Sequence, residues 1–226
     1  MSYITLKMAL LSIILVYYQP GFGATPENLS VLQPEVREIQ QQWAQLYYSD
    51  EFNNQDYKNL QALARKANRY SHDHPADAAA LTWDAIVLST LAEKKGGIGA
   101  LSLVKEAKLK LEQAEAIDAE VLHGSVYASL GTLYAKVPGW PIAFGSNSKA
   151  RAYFNKALAL NPDGLDINYF YADFLAENDE PQQALVFVEK ALNAAPLADR
   201  PVADQGRRRQ AEKLRKQLLS QQASLD

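Results

Sequence analysis

From Glu35 to about Gln222 the apolar positions recur every three or four residues, the spacing of one helical face. Almost no stretch shows the period-two alternation of a strand, so the pattern predicts an all-α chain. The helices fall into pairs. "EVREIQQQWAQLYYSDE" and "YKNLQALARKANRYSHDHP" make the first, ending at Pro75. "AALTWDAIVLSTLAE" and "EAKLKLEQAEAIDA" make the second, and "KKGGIGAL" between them reads as a long turn. "YASLGTLY" and "KARAYFNKALALNP" make the third; "NYFYADFL" and "QQALVFVEKALNAAP" make the fourth. A final polar helix is expected from Ala203 to about Gln222, apolar through Ala211, Leu214, Leu218 and Leu219. About four hairpins and a capping helix follow from the pattern alone.

The pairs share a register. Ala150, Phe154, Ala157 and Pro162 are each followed 34 positions later by Ala184, Val188, Ala191 and Pro196. Small residues suit places where two helices cross closely, and the large residue between them fills the gap beside the neighbour. Proline closes each unit because it cannot continue a helix. Tyr127, Leu130, Gly131 and Tyr134, then Asn168, Tyr171, Ala172 and Leu175, supply the matching first helices. Ala107, Leu111 and Ala114 repeat the second-helix pattern upstream, with Ala119 in place of proline. This order resembles the tetratricopeptide repeat, most clearly over 122–162 and 165–196, and implies a solenoid of stacked hairpins over 34–226.

One connector breaks the register. Gly131 and Ala172 are 41 residues apart where the repeat is 34, so seven residues are inserted in the third hairpin, mostly "PGWPIAF". Pro138 and Pro141 stiffen it, Gly139 and Gly145 permit sharp turns, and Ser146 or Ser148 is placed to cap the next helix. Burying Trp140, Ile142 and Phe144 is worth on the order of 1.5–3 kcal/mol each, so the loop is expected to pack on something. Either it plugs the adjacent hairpin or it lines a pocket or docking surface.

The stretch "YAKVPGWPIAFGSNSKARAYFNKALALNPDGLDINYFYADFL" is similar to the T-component proteins associated with TRAP transporters. Over roughly Leu122 to Pro196 it shares a helix leading into a Pro-Gly loop, an alanine-rich helix, an Asn-Pro-x-Gly turn and an aromatic helix. The resemblance implies a periplasmic helical scaffold that associates with a substrate-binding protein and holds a small, partly apolar ligand. Some relatives are lipoproteins; this chain has no cysteine to acylate. On the aromatic helix, Phe170, Tyr171 and Phe174 share one side and are expected in the core. Tyr169 and Asp173 point elsewhere and are candidates, with Trp140, Ile142 and Phe144, for ligand or partner binding at the inner surface.

Charge and composition narrow the rest. The net charge is −3, which offers no basic field for nucleic acid. "MSYITLKMALLSIILVYYQPGFGA" reads as a signal peptide over 1–23, with Lys7, an apolar run from Met8 to Tyr18 and a Gly21-x-Gly23 cleavage pattern. Residues 24–33 read as a flexible lead. An exported, periplasmic chain follows, its apolar run short of the roughly 20 residues that span a membrane; an uncleaved N-terminal anchor is the alternative. His72, Asp73 and His74 sit at a helix end with no fixed cage, so no metal is expected. His123 stands alone on an amphipathic helix. No nucleophile elbow, phosphate loop or zinc-protease motif occurs, and no cofactor is expected. Arg207, Arg208 and Arg209 read as a solvated cap, or else as an anion patch. Three functions stay open: a scaffold for a partner protein, a carrier with a ligand cavity at the 138–146 loop, or a structural envelope protein that works as an oligomer.

Overall fold

A computed structural model describes residues 32–223. The expected signal peptide, and the flexible lead before Leu32, lie outside the described residues. Nine helices make up that span: α1 Pro34–Tyr47, α2 Asn54–Asp73, α3 Ala78–Lys95, α4 Ile98–Ile117, α5 Val121–Lys136, α6 Asn147–Leu160, α7 Leu165–Glu177, α8 Pro181–Asn193 and α9 Pro201–Ala223. They pack as four antiparallel hairpins and a last helix, an all-α tetratricopeptide-like solenoid.

Local chemistry sets the boundaries. Asn53 caps α2 with a capping box: its side chain accepts from the Gln55 and Asp56 amides, and the Asp56 carboxylate accepts from the Asn53 amide. Asp77 caps α3 and Ser146 caps α6 through their side-chain oxygens. Pro34 and Pro181 occupy first-turn positions, where a missing N–H costs nothing. Asn168 stands where the repeat usually has a large aromatic. Its amide instead donates to the carbonyls of Pro162 (2.9 Å) and Gly164 (2.8 Å), locking the Asn-Pro-Asp-Gly turn.

The register seen in the sequence is the packing rule of the core. Ala107, Leu111 and Ala114, Ala150, Phe154 and Ala157, and Ala184, Val188 and Ala191 are all at most 1% exposed. The Phe154 ring lies over Gly131, where an added Cβ would stand 2.8 Å from Cδ1 and Cε1. That contact is why the small position of α5 is glycine. Asp84, fully buried, ties α3 to its neighbours: it accepts from Ser71 Oγ at 2.6 Å and pairs with Lys110 Nζ at 2.8 Å.

Three expectations change. "KKGGIGAL" is a tight turn, because Gly96 and Gly97 both take positive φ (63° and 60°) and reverse the chain between Lys95 and Ile98. Leu122, His123 and Gly124 are left-handed (φ 55°, 52° and 85°), so the start of α5 is kinked and His123 is exposed at the kink. The third concerns α9, which caps the solenoid with a wet outer face but buries Asp204 and Arg207 in its first turns. The first helices of successive hairpins, α1, α3, α5 and α7, lie side by side, and α9 extends the row while also touching α1. The row therefore closes on itself.

Candidate functional site

The connector between α5 and α6 is held by its backbone. The amides of Ile142 and Ala143 both donate to the Gly139 carbonyl at 3.1 Å, and Gly145 N–H donates to the Pro138 carbonyl at 3.0 Å. Ser146 N–H reaches back to the Tyr134 carbonyl of α5 at 2.8 Å. Gly145 runs so close to the opposite limb that an added Cβ would fall 1.8 Å from the Val137 carbonyl oxygen. The obstacle is backbone and cannot swing aside. Gly145→Ala is expected to force the loop open, lowering stability by about 1–3 kcal/mol. A melting curve indistinguishable from wild type would show that the loop is not closed in this way.

The base of the loop is packed and its tip is not. Val137 is buried, and Phe144 is half-buried with its ring edge-on to Tyr134 at 5.5 Å and Lys108 Nζ 5.8 Å from its centroid. Trp140 is 90% exposed and Ile142 64% exposed. The expectation that all three side chains pack is thus corrected. The limbs pinch together at Gly139 and Gly145, so only the residue just before the pinch closes, Phe144, can reach the hairpin.

Tyr169 and Asp173 are placed differently. Asp173 pairs with Lys136 Nζ at 2.7 Å, and Lys136 also meets Glu177. Tyr169 is partly buried under the guanidinium of Arg207, 4.7 Å from its ring centroid. Burial first, then the charge of Asp173, pushes the Tyr169 phenol up to about 12. Neither residue shares contacts with the loop tip. Phe170 is half-buried on the same guanidinium, while Tyr171 and Phe174 are core, Tyr171 edge-on to Phe187.

Arg207 was the residue least visible in the sequence. Its side chain is 3% exposed, ringed by Tyr48, Tyr169 and Phe170, and its Nε donates to Asp166 Oδ1 at 2.8 Å. Arg200 holds the other Asp166 oxygen at 2.6 Å. Burial alone would raise the Asp166 carboxyl, but the two guanidiniums outweigh it and hold it below the ordinary value of 3.8. Arg208 pairs with Asp204 and donates to the Leu192 and Ala194 carbonyls, closing the end of α8. The solvated-cap reading fails for Arg207 and Arg208, whose partners include groups of α7, α8 and the end of α1, and fits Arg209, which is exposed. Ala211, Leu214 and Leu218 are buried as expected, and Leu219 is 50% exposed.

A separate open groove of about 420 Å³ crosses α2, α3 and α4, with Gln61, Ala64, Arg65, Arg69, Leu88 and Leu91 among its lining residues. It shares no residue with the loop. Among the described residues no cluster of metal-ligating side chains forms, and His74 stacks on Tyr70 at 4.2 Å. No described helix is long and apolar enough to cross a membrane.

These features define an all-helical hairpin scaffold that presents a fixed apolar loop. A tetratricopeptide repeat family model matches residues 142–203, from the loop through α8 to the start of α9, and supports a tetratricopeptide-type protein. Repeats of this type generally mediate contacts between proteins. No curated protein matches the chain.

Proposed function

We propose that this chain is an exported tetratricopeptide-type scaffold that grips a partner protein with the tip of its 138–146 loop, and that the partner is the periplasmic substrate-binding subunit of a TRAP-type transporter. One observation carries the docking role: Trp140 stands almost wholly in water on a loop whose backbone is already ordered. A monomeric protein gains nothing from a solvated tryptophan, whereas an interface gains a large rigid anchor at little entropic cost. Export is supported by the N-terminal stretch from Lys7 to Gly23, and the transporter partner by the resemblance over Leu122 to Pro196. The ligand-carrier reading draws less support, since Trp140 and Ile142 face solvent and the groove on α2–α4 is lined by other residues.

Trp140→Ala separates docking from packing. An exposed side chain away from core features changes stability by no more than about 0.5 kcal/mol. The variant is expected to melt with wild type and to lose the protein that co-purifies with wild type from the cell envelope. A clear drop in melting temperature, or undiminished co-purification, contradicts the proposal.

A further inference from the structure

The groove on α2–α4 is a surface apart from the loop. Its floor is apolar: Ala64, Leu88 and Leu91 are buried in the domain yet open onto it. Its rim is cationic. Arg65 and Arg69, one turn apart on α2, are exposed, and neither guanidinium has an ion-pair or hydrogen-bond partner among the described residues. Several cations of the domain are engaged instead: Lys66 with Glu38, Lys110 with Asp84, Lys136 with Asp173, Arg151 with Glu180 and Arg207 with Asp166. The carboxylate in the groove does not answer the arginines. Glu106 Oε1 accepts from Asn68 Nδ2 at 3.3 Å and lies 3.9 Å from Lys110 Nζ.

We infer that this groove docks an acidic amphipathic segment of a protein partner. Two carboxylates of that segment, one helical turn apart, meet Arg65 and Arg69, and an apolar side chain between them rests on Ala64, Leu88 and Leu91. The shape favours a peptide over a small molecule. The groove is open to solvent, whereas small-molecule sites enclose most of their ligand. From Gln61 to Arg69 it follows α2 for about 12 Å, the length of two helical turns. Guanidinium forks fit carboxylates in two-point geometry, so the arginines fix register as well as charge. The site is independent of the 138–146 loop.

The test uses a labelled alanine-based helical peptide carrying two glutamates four residues apart beside a leucine, followed by fluorescence anisotropy on the whole protein. Saturable binding is expected, weakened at least about tenfold in the Arg65→Gln/Arg69→Gln variant. Raising salt from about 0.05 to about 0.5 M should weaken it as well. The Arg65→Glu/Arg69→Glu variant should reject this peptide and bind one with lysines in place of the glutamates. Trp140→Ala should bind like wild type. No saturable binding, equal binding by the glutamine variant, or failure of the charge swap overturns the inference. Full displacement of the peptide by an equal concentration of octanoate also overturns it, by assigning the groove to small amphipathic acids.

Discussion

Asp166→Ala is expected to lower stability by about 3 kcal/mol, because it strands the Arg207 guanidinium where water cannot reach it. Removing one member of a buried pair typically costs about 3–5 kcal/mol. The Asp166 side chain keeps 28% exposure, which places the loss at the lower end. For a domain of this size that is a fall in melting temperature of roughly 6–12 °C. Adding Arg207→Met should return part of the loss, since the buried charge is gone and an apolar stem still fills the space between Tyr48, Tyr169 and Phe170. A double variant as unstable as the sum of its parts would deny the coupling. The same carboxylate sets an acid limit. Its folded-state value is lowered, so its contribution is complete above the ordinary 3.8 and is lost as pH falls through the folded value. Wild type should lose stability below about pH 4 more steeply than Asp166→Ala, and hydrogen exchange should show α9 released first. Parallel acid limbs would contradict this.

Phe154→Ala should cost as much or more. The ring is 1% exposed and lies 5.4 Å from Phe174 and 5.7 Å from Tyr171, centroid to centroid. Deleting such a ring costs about 3–5 kcal/mol, partly transfer and partly the cavity left behind. Gly131 supplies an internal check. In wild type, Gly131→Ala drives a methyl into the Phe154 ring and should destabilise. In the Phe154→Ala background the same methyl meets the cavity and gains helix propensity, so it should stabilise. A loss in both backgrounds would mean that Phe154 and Gly131 are not the partners that fix the third hairpin.

Why some of this was legible in the sequence and some was not follows from the range of the forces. The 34-residue register is a local packing rule, and every alanine it places at a helix crossing is buried. The seven-residue insertion announced itself by breaking that register. Its exposure did not, because composition tells that Trp140 and Ile142 gain by burial but not whether a surface lies within reach. Only Phe144 finds one, on Tyr134. Arg207 was misread for the same reason. A run of arginines on a terminal helix is ordinarily wet, and Arg207 alone of the three is buried, by Asp166, 41 residues earlier, and Tyr48 at the end of α1. The arginines of the groove carried no motif at all. They stand out only once the fold sets them, unpaired, on the groove beside Leu88 and Leu91.

The docking role proposed for the loop rests on Trp140 meeting another protein, and a photo-crosslinking residue at position 140 measures that directly in cells. One dominant adduct is expected, a substrate-binding protein of the cell envelope, weakened when Ile142 is replaced by serine. No adduct, or the same adducts as from the exposed position of Leu219, would contradict the account.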